Sequence, residues 1–136
     1  MRRCLQTAAC LFPAQRIHVR EAFRECDFGD FEGKNYAELN GNPQYQAWID
    51  SGGTAPFPNG ESPEAFRARC CDGFRQTVRE FADADSMAFV VHGGTIMSIL
   101  SQFVLPHRGY YDWMTENAHG WLCASDGTNL TVTEKL

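Results

Sequence analysis

Met87-Ala88-Phe89-Val90-Val91-His92-Gly93-Gly94-Thr95-Ile96 is the stretch that decides the fold class. Met87 to Val91 is an uninterrupted apolar run, the pattern of a parallel strand covered on both faces. Beyond the Gly93-Gly94 punctuation, Ile96, Ile99, Leu100 and Phe103 recur at helical spacing until Pro106 closes the segment. A strand passing through a glycine turn into a helix predicts an α/β fold. It also predicts a ligand position, because open α/β sheets bind ligands beyond the carboxyl ends of their strands. A helix N-terminus at that point offers free N–H groups and the positive end of its dipole to an anion. Gly93 and Gly94 allow the backbone to approach closely, and His92 presents its imidazole at the strand tip. Taken alone, His92 has a second reading as a turn histidine satisfied by backbone hydrogen bonds.

Toward the C-terminus, residues 120–124 and 130–134 read as two strands, with Asp126-Gly127 as the turn of a hairpin. Upstream, Pro63 to about Phe81 predicts a long helix, with Pro63 at its first position, Ser62 or Gly60 as cap, and an apolar stripe of Phe66, Cys70, Phe74, Val78 and Phe81. Residues 20–60 are rich in Gly, Pro, Asn and Asp and read as a loosely structured insertion with one helix, Pro43 to Asp50. Segments of that length are more often functional than idle. Arg16 to Val19 suits a short strand, and Met1 to Phe12 a helix ended by Pro13, with Leu5, Ala8, Ala9 and Phe12 on one face. Arg2 and Arg3 stand at the start of that helix, where the macrodipole disfavours cations and where no capping residue precedes them. A bound anion, or further chain ahead of Met1, would account for both features.

The 136 residues favour one domain, 1–136, with 43% hydrophobic and 21% charged residues as in ordinary folded chains. A net charge of −5 argues against a general nucleic-acid binder. The six cysteines show neither a CxxC nor a zinc pattern, and no secretory leader is recognisable, so a reduced, cytoplasmic setting is expected. No apolar run approaches the roughly 20 residues that a membrane span needs, so no membrane partner is expected.

Three further stretches carry polar chemistry. Phe23-Arg24-Glu25-Cys26-Asp27-Phe28-Gly29-Asp30-Phe31-Glu32-Gly33 places four acids and two glycines in a loop-like segment. An acid held beside a phosphate retains its proton more readily and can donate it to a leaving oxygen; a solvated acidic loop is the alternative. Arg2-Arg3, with Gln6 and Thr7 one turn on, offers guanidinium groups that bind phosphate through paired donors, or else a solvated chain end. Asn59-Gly60-Glu61-Ser62-Pro63 is a loop entering a helix. Tyr36, Tyr45, Trp48, Phe57 and Trp113 could line a pocket, although aromatics at such spacing are more often core.

In their order, these stretches resemble the histidine phosphatase (phosphoglycerate mutase-like) superfamily. Met1-Arg2-Arg3-Cys4-Leu5-Gln6-Thr7-Ala8 is similar to the end of its Ser-Pro-x-x-Arg-Ala-x-Gln-Thr-Ala motif, with Arg3 at the phosphate-binding arginine. Phe23 to Gly33 is similar to its Leu-x-Glu-x-x-Phe-Gly-x-Trp-Glu-Gly motif, with Glu25 at the proton donor and Phe31 in place of Trp. Gly60-Glu61-Ser62 followed by Arg69 resembles its Gly-Glu-Ser segment, Val90-Val91-His92-Gly93-Gly94 its second histidine motif, and Asn117 fits ahead of the penultimate strand.

The resemblance implies a three-layer α/β/α sheet and hydrolysis of phosphomonoesters through a phosphohistidine, with Glu25 and His92 catalytic and Arg3, His92 and Gly93 binding phosphate. It implies no cofactor and no metal, and a small phosphorylated molecule or inorganic phosphate as partner. The family's nucleophile lies in an Arg-His-Gly motif that this sequence does not contain; His18, His107 and His119 match no motif. The family's first strand, first helix and second strand would precede Met1 as roughly 50 residues, somewhat more than one βαβ unit. The expectation is therefore an N-terminally incomplete domain of impaired activity that self-associates as a homo-oligomer to cover the open sheet edge. Two alternatives stand beside it: a non-catalytic phosphate-binding or scaffold remnant, and a fragment of a phosphoglycerate mutase-type phosphotransferase. The short loop from Gly33 to Asn59 disfavours the latter.

Overall fold

The computed structural model describes residues 2–136, so the expected helix start at Met1 lies outside the described residues. Along the chain run helices α1 (Arg2–Leu11), α2 (Tyr36–Leu39), α3 (Pro43–Asp50), α4 (Pro63–Glu80) and α5 (Gly93–Phe103), then strands β1 (Trp121–Ser125) and β2 (Leu130–Lys135). Short 3-10 turns lie at Glu21–Phe23, Gly29–Phe31 and Tyr110–Trp113. The backbone groups into two compact units: the chain up to Glu25 together with Arg69–Leu136, and Cys26–Ala68.

The first unit is built on α5 and the part of α4 from Arg69 onward. Helix α4 begins at Pro63, and the Ser62 hydroxyl accepts from the Ala65 N–H at 3.0 Å, satisfying one of the unpaired donors of the first turn. Its Cys71 and Phe74 join Ile99, Leu100, Phe103, Val104, Trp113 and Leu130 in one core. Each such apolar side chain contributes roughly 1.5–3 kcal/mol when fully buried. Small polar pairs set the close approach of α4 to α5. The Cys71 thiol meets the Ser98 carbonyl at 3.4 Å and Cys70 Sγ lies 3.8 Å from Thr95 Oγ1, with Thr95 and Ser98 both buried. Burial pushes the Cys71 thiol up to about 11, and neighbouring Cys70 adds to the effect.

The expected hairpin is present. Strand β1 pairs antiparallel with β2, from Trp121 opposite Lys135 to Ser125 opposite Leu130, with an irregularity between Leu122 and Cys123. A parallel bridge joins Val104 to Leu130. The segments expected as strands at 16–19 and 87–91 are not in any ladder among the described residues. Phe89 to Val91 are half-buried while Met87 and Ala88 are exposed. Phe89 is held by rings instead, 5.6 Å from Phe23 and 5.3 Å from Phe74. An apolar run reports that side chains seek cover; a strand also needs a neighbour to take its N–H and C=O groups.

The second unit is more ordered than its composition suggests. Asn35 and Glu38 form a reciprocal capping box on α2, and the Asn42 side chain caps α3. Phe28, Phe31, Tyr45, Trp48 and Phe57 form a chain of ring contacts, with Trp48 stacked on Phe57 at 5.2 Å. Phe31 and Phe57 are buried and Phe28, Tyr45 and Trp48 half-buried; Trp113 is buried in the first unit, whereas Tyr36 is exposed. Gly29 has φ +54, and a Cβ there would collide with the Pro58 carbonyl oxygen. The Gly29 and Gly60 backbones pass against each other, fastened by Asp30 N–H to Pro58 O at 2.9 Å and Glu61 N–H to Asp27 O at 2.8 Å.

Candidate functional site

Arg3, Glu25 and His92 come from three separate segments of the first unit and meet at the N-terminus of α5. His92 is the residue before that helix, extended at φ −86 and ψ 159, and its carbonyl accepts from Ile96 N–H. The His92 side chain does not cap α5, and the first-turn N–H groups of a helix have no partner within the helix itself. Thr95 and Ser98, buried against α4, fix the helix behind the histidine, and the Ser98 hydroxyl donates to the Gly94 carbonyl at 2.7 Å. His92 is 5% exposed.

Arg3 Nη2 lies 3.1 Å from His92 Nδ1. Glu25 Oε2 lies 3.5 Å from the same Nδ1 and 3.8 Å from Arg3 Nη2. Burial lowers the pKa of His92 below its ordinary value, the Glu25 carboxylate opposes that shift, and the Arg3 guanidinium reinforces it. The ring is thus neutral near pH 7. A guanidinium can only donate, so the Arg3 contact favours the tautomer that carries its proton on Nε2. The Arg3–Glu25 contact adds little stability itself, because the Arg3 side chain is 63% exposed. Its consequence is geometric: a guanidinium, a carboxyl group, an imidazole and a helix N-terminus border one patch. Such a set suits a small anion with oxygens on several sides.

Gly93 stands at the first position of α5 and is exposed, and a Cβ there would meet no heavy atom within 4 Å. Nothing in the packing requires glycine at that position. Asn117 is exposed, and its carbonyl meets the His119 ring nitrogen at 3.0 Å. His18 packs edge-on against Phe81 at 4.8 Å. Gly60 and Glu61 belong to the second unit, where they brace Gly29 and Asp27, while Ser62 serves as the α4 cap.

Three contacts were not anticipated from the sequence. Cys4 Sγ lies 3.5 Å from Nε2 and 3.8 Å from Nδ1 of His92. Its position next to Arg3 on α1 was the available signal. The Tyr110 hydroxyl donates to the Gly94 carbonyl at 3.3 Å, a pairing with no local sequence signature. Arg69 reaches the backbone around Glu25. Among the described residues, no group of three His, Cys, Asp or Glu is arranged to hold a metal ion.

The family pattern of the histidine phosphatase superfamily (branch 1) matches residues 1–131. The chain belongs to the histidine phosphatase superfamily. A crystal structure from Escherichia coli K-12, named as a candidate alpha-ribazole-5'-P phosphatase, superposes with a TM-score of 0.81 at 20% sequence identity, covering 98% of this chain and 68% of that one. The chain thus has the α/β fold of a histidine phosphatase. No curated protein matches its sequence. None of the described helices of this histidine phosphatase domain is long and apolar enough to cross a membrane.

Proposed function

We propose that this histidine phosphatase domain binds a phosphomonoester or inorganic phosphate at the N-terminus of α5. Arg3, His92 and the Gly93 N–H hold the phosphoryl oxygens, and Glu25 is the proton donor to the leaving oxygen. The observation that carries this reading is the convergence of Arg3, Glu25 and His92 within 3.1–3.8 Å of one another. Arg3 supplies a fixed positive charge. His92 is buried and neutral, so it can donate from the ring without a competing charge. The Gly93 position leaves open space for an oxygen to reach the helix N–H groups.

Phosphoryl transfer through a phosphohistidine needs a nucleophilic imidazole facing this patch, and the 136 residues contain no Arg-His-Gly. We therefore infer that this chain by itself turns over phosphomonoesters poorly while retaining phosphate binding. One experiment bears on this reading and on the remnant reading alike. Incubation with an aryl phosphate is expected to give little product, and phosphate or vanadate is expected to raise the unfolding temperature. Robust turnover lost in His92→Ala would instead make His92 the nucleophile. Failure of both anions to stabilise a folded sample would defeat the phosphate reading and the remnant reading together.

The same reading takes the chain as a single self-associating domain that works without cofactor, membrane or nucleic acid. Exposed Leu5, Leu11, Ile17 and Val19, all in the first unit, support the self-association.

A further inference from the structure

We propose that Arg69 is a positioning residue that sets the direction in which Glu25 enters the candidate site. Glu25 leaves a 3-10 turn, Glu21–Phe23, whose own closing bond is Arg24 N–H to the Glu21 carbonyl at 3.0 Å. After that bond the backbone is extended, with Arg24 at φ −61 and ψ 153. The turn's own hydrogen bonding therefore does not define where the next residue points.

Arg69 supplies what the turn lacks. From α4, its Nη1 donates to the Ala22 carbonyl at 2.8 Å and the Arg24 carbonyl at 3.1 Å, and its Nη2 approaches the Glu25 carbonyl at 3.5 Å. One rigid guanidinium thus gathers three carbonyls of a four-residue stretch, which an ammonium on a flexible stem cannot do with the same geometry. A second observation places the turn on this same stripe of α4. Gly73, one helical turn beyond Arg69, is buried, and a Cβ there would collide with the Ala22 Cβ. Gly73 lets the turn come close, and Arg69 orients it. Residues 22–25 therefore ride on α4 while the Glu25 carboxylate faces Arg3 and His92.

The inference rests on Glu25 being the acid of the site, and it is tested by a readout independent of catalysis. Among the described residues, the groups facing the His92 ring are Glu25, and Arg3 and Cys4 from α1, and the positive charge of the chain's amino group adds a smaller effect in the same direction as Arg3. Glu25 holds the His92 titration up while Arg3 opposes it, so displacing Glu25 alone lowers the midpoint. NMR titration of the histidine rings should show a lower His92 midpoint in Glu25→Gln and a similar fall in Arg69→Met. No further fall should appear in the double variant. Arg69→Lys, a milder change should Arg69→Met not fold, should give an intermediate midpoint. A merely structural role would lower the unfolding temperature and leave the His92 midpoint at the wild-type value. Folded Arg69→Met or Arg69→Lys with a wild-type midpoint overturns the proposal, as does Glu25→Gln without effect. Loss of phosphate stabilisation with these midpoints as expected would instead count against the phosphate reading and leave the positioning role standing.

Discussion

His92 combines burial with a cation at its Nδ1 edge, and both oppose its protonation. Its ordinary value is 6.5, and burial, the largest cause, pushes it lower against the pull of Glu25. The unfolded chain therefore takes a proton on this ring at a higher pH than the folded chain does. Stability attributable to a neutral His92 is intact above 6.5 and is lost as pH falls from there through the folded value. Urea unfolding of wild type and His92→Gln across this range should show the wild type losing stability relative to the variant on acidification. A constant difference would mean the ring titrates as in the unfolded chain. Gly93 gives a cleaner probe of binding. Because a Cβ there meets nothing in the protein, Gly93→Ala should fold as wild type yet bind phosphate about tenfold more weakly, equivalent to about 1.4 kcal/mol. Unchanged phosphate affinity would move the anion away from the α5 N-terminus. At this scale Arg3, Glu25 and His92 were legible because each sits in a local motif. Cys4 was not, since its approach to His92 depends on where α1 packs.

Elements were legible wherever local chemistry decides them. Proline and asparagine set the start of α3, Ser62 and Pro63 that of α4, and Asp126-Gly127 the turn between β1 and β2. The 87–91 segment was not, because its apolar pattern specifies cover rather than a hydrogen-bonding neighbour. The order of residues 26–68 was hidden for another reason: its glycines read as looseness but serve close backbone packing. Gly29→Ala tests this. A left-handed φ of +54 and a collision with the Pro58 carbonyl should together destabilise that unit by at least about 1–3 kcal/mol. Amide exchange should then accelerate through residues 26–68. Wild-type exchange there would show that the Gly29–Gly60 approach is dispensable. In the first unit, Leu100→Ala, deep in the α4–α5 core, should cost about 2–5 kcal/mol by denaturant unfolding. A cost below about 1 kcal/mol would mean that the core is not packed as described.

For the whole molecule, family membership and fold were readable because the motifs occur in the family's order along nearly all of the chain. Assembly is a question of exposed surface. Leu5, Leu11, Ile17, Val19 and Met87 leave apolar area uncovered on the first unit. Sedimentation velocity at micromolar concentration should show a dimer or larger species, and a stable monomer on dilution would refute the self-association reading. Titrating phosphate while recording the ring signals of all four histidines tests whether Arg3, Glu25 and His92 form a phosphate site. His18, His107 and His119 serve as internal controls. His92 signals should shift saturably while the controls stay still, and Arg3→Met should abolish the response. A folded protein whose His92 ring ignores phosphate, or whose four histidines respond alike, would contradict a phosphate site there.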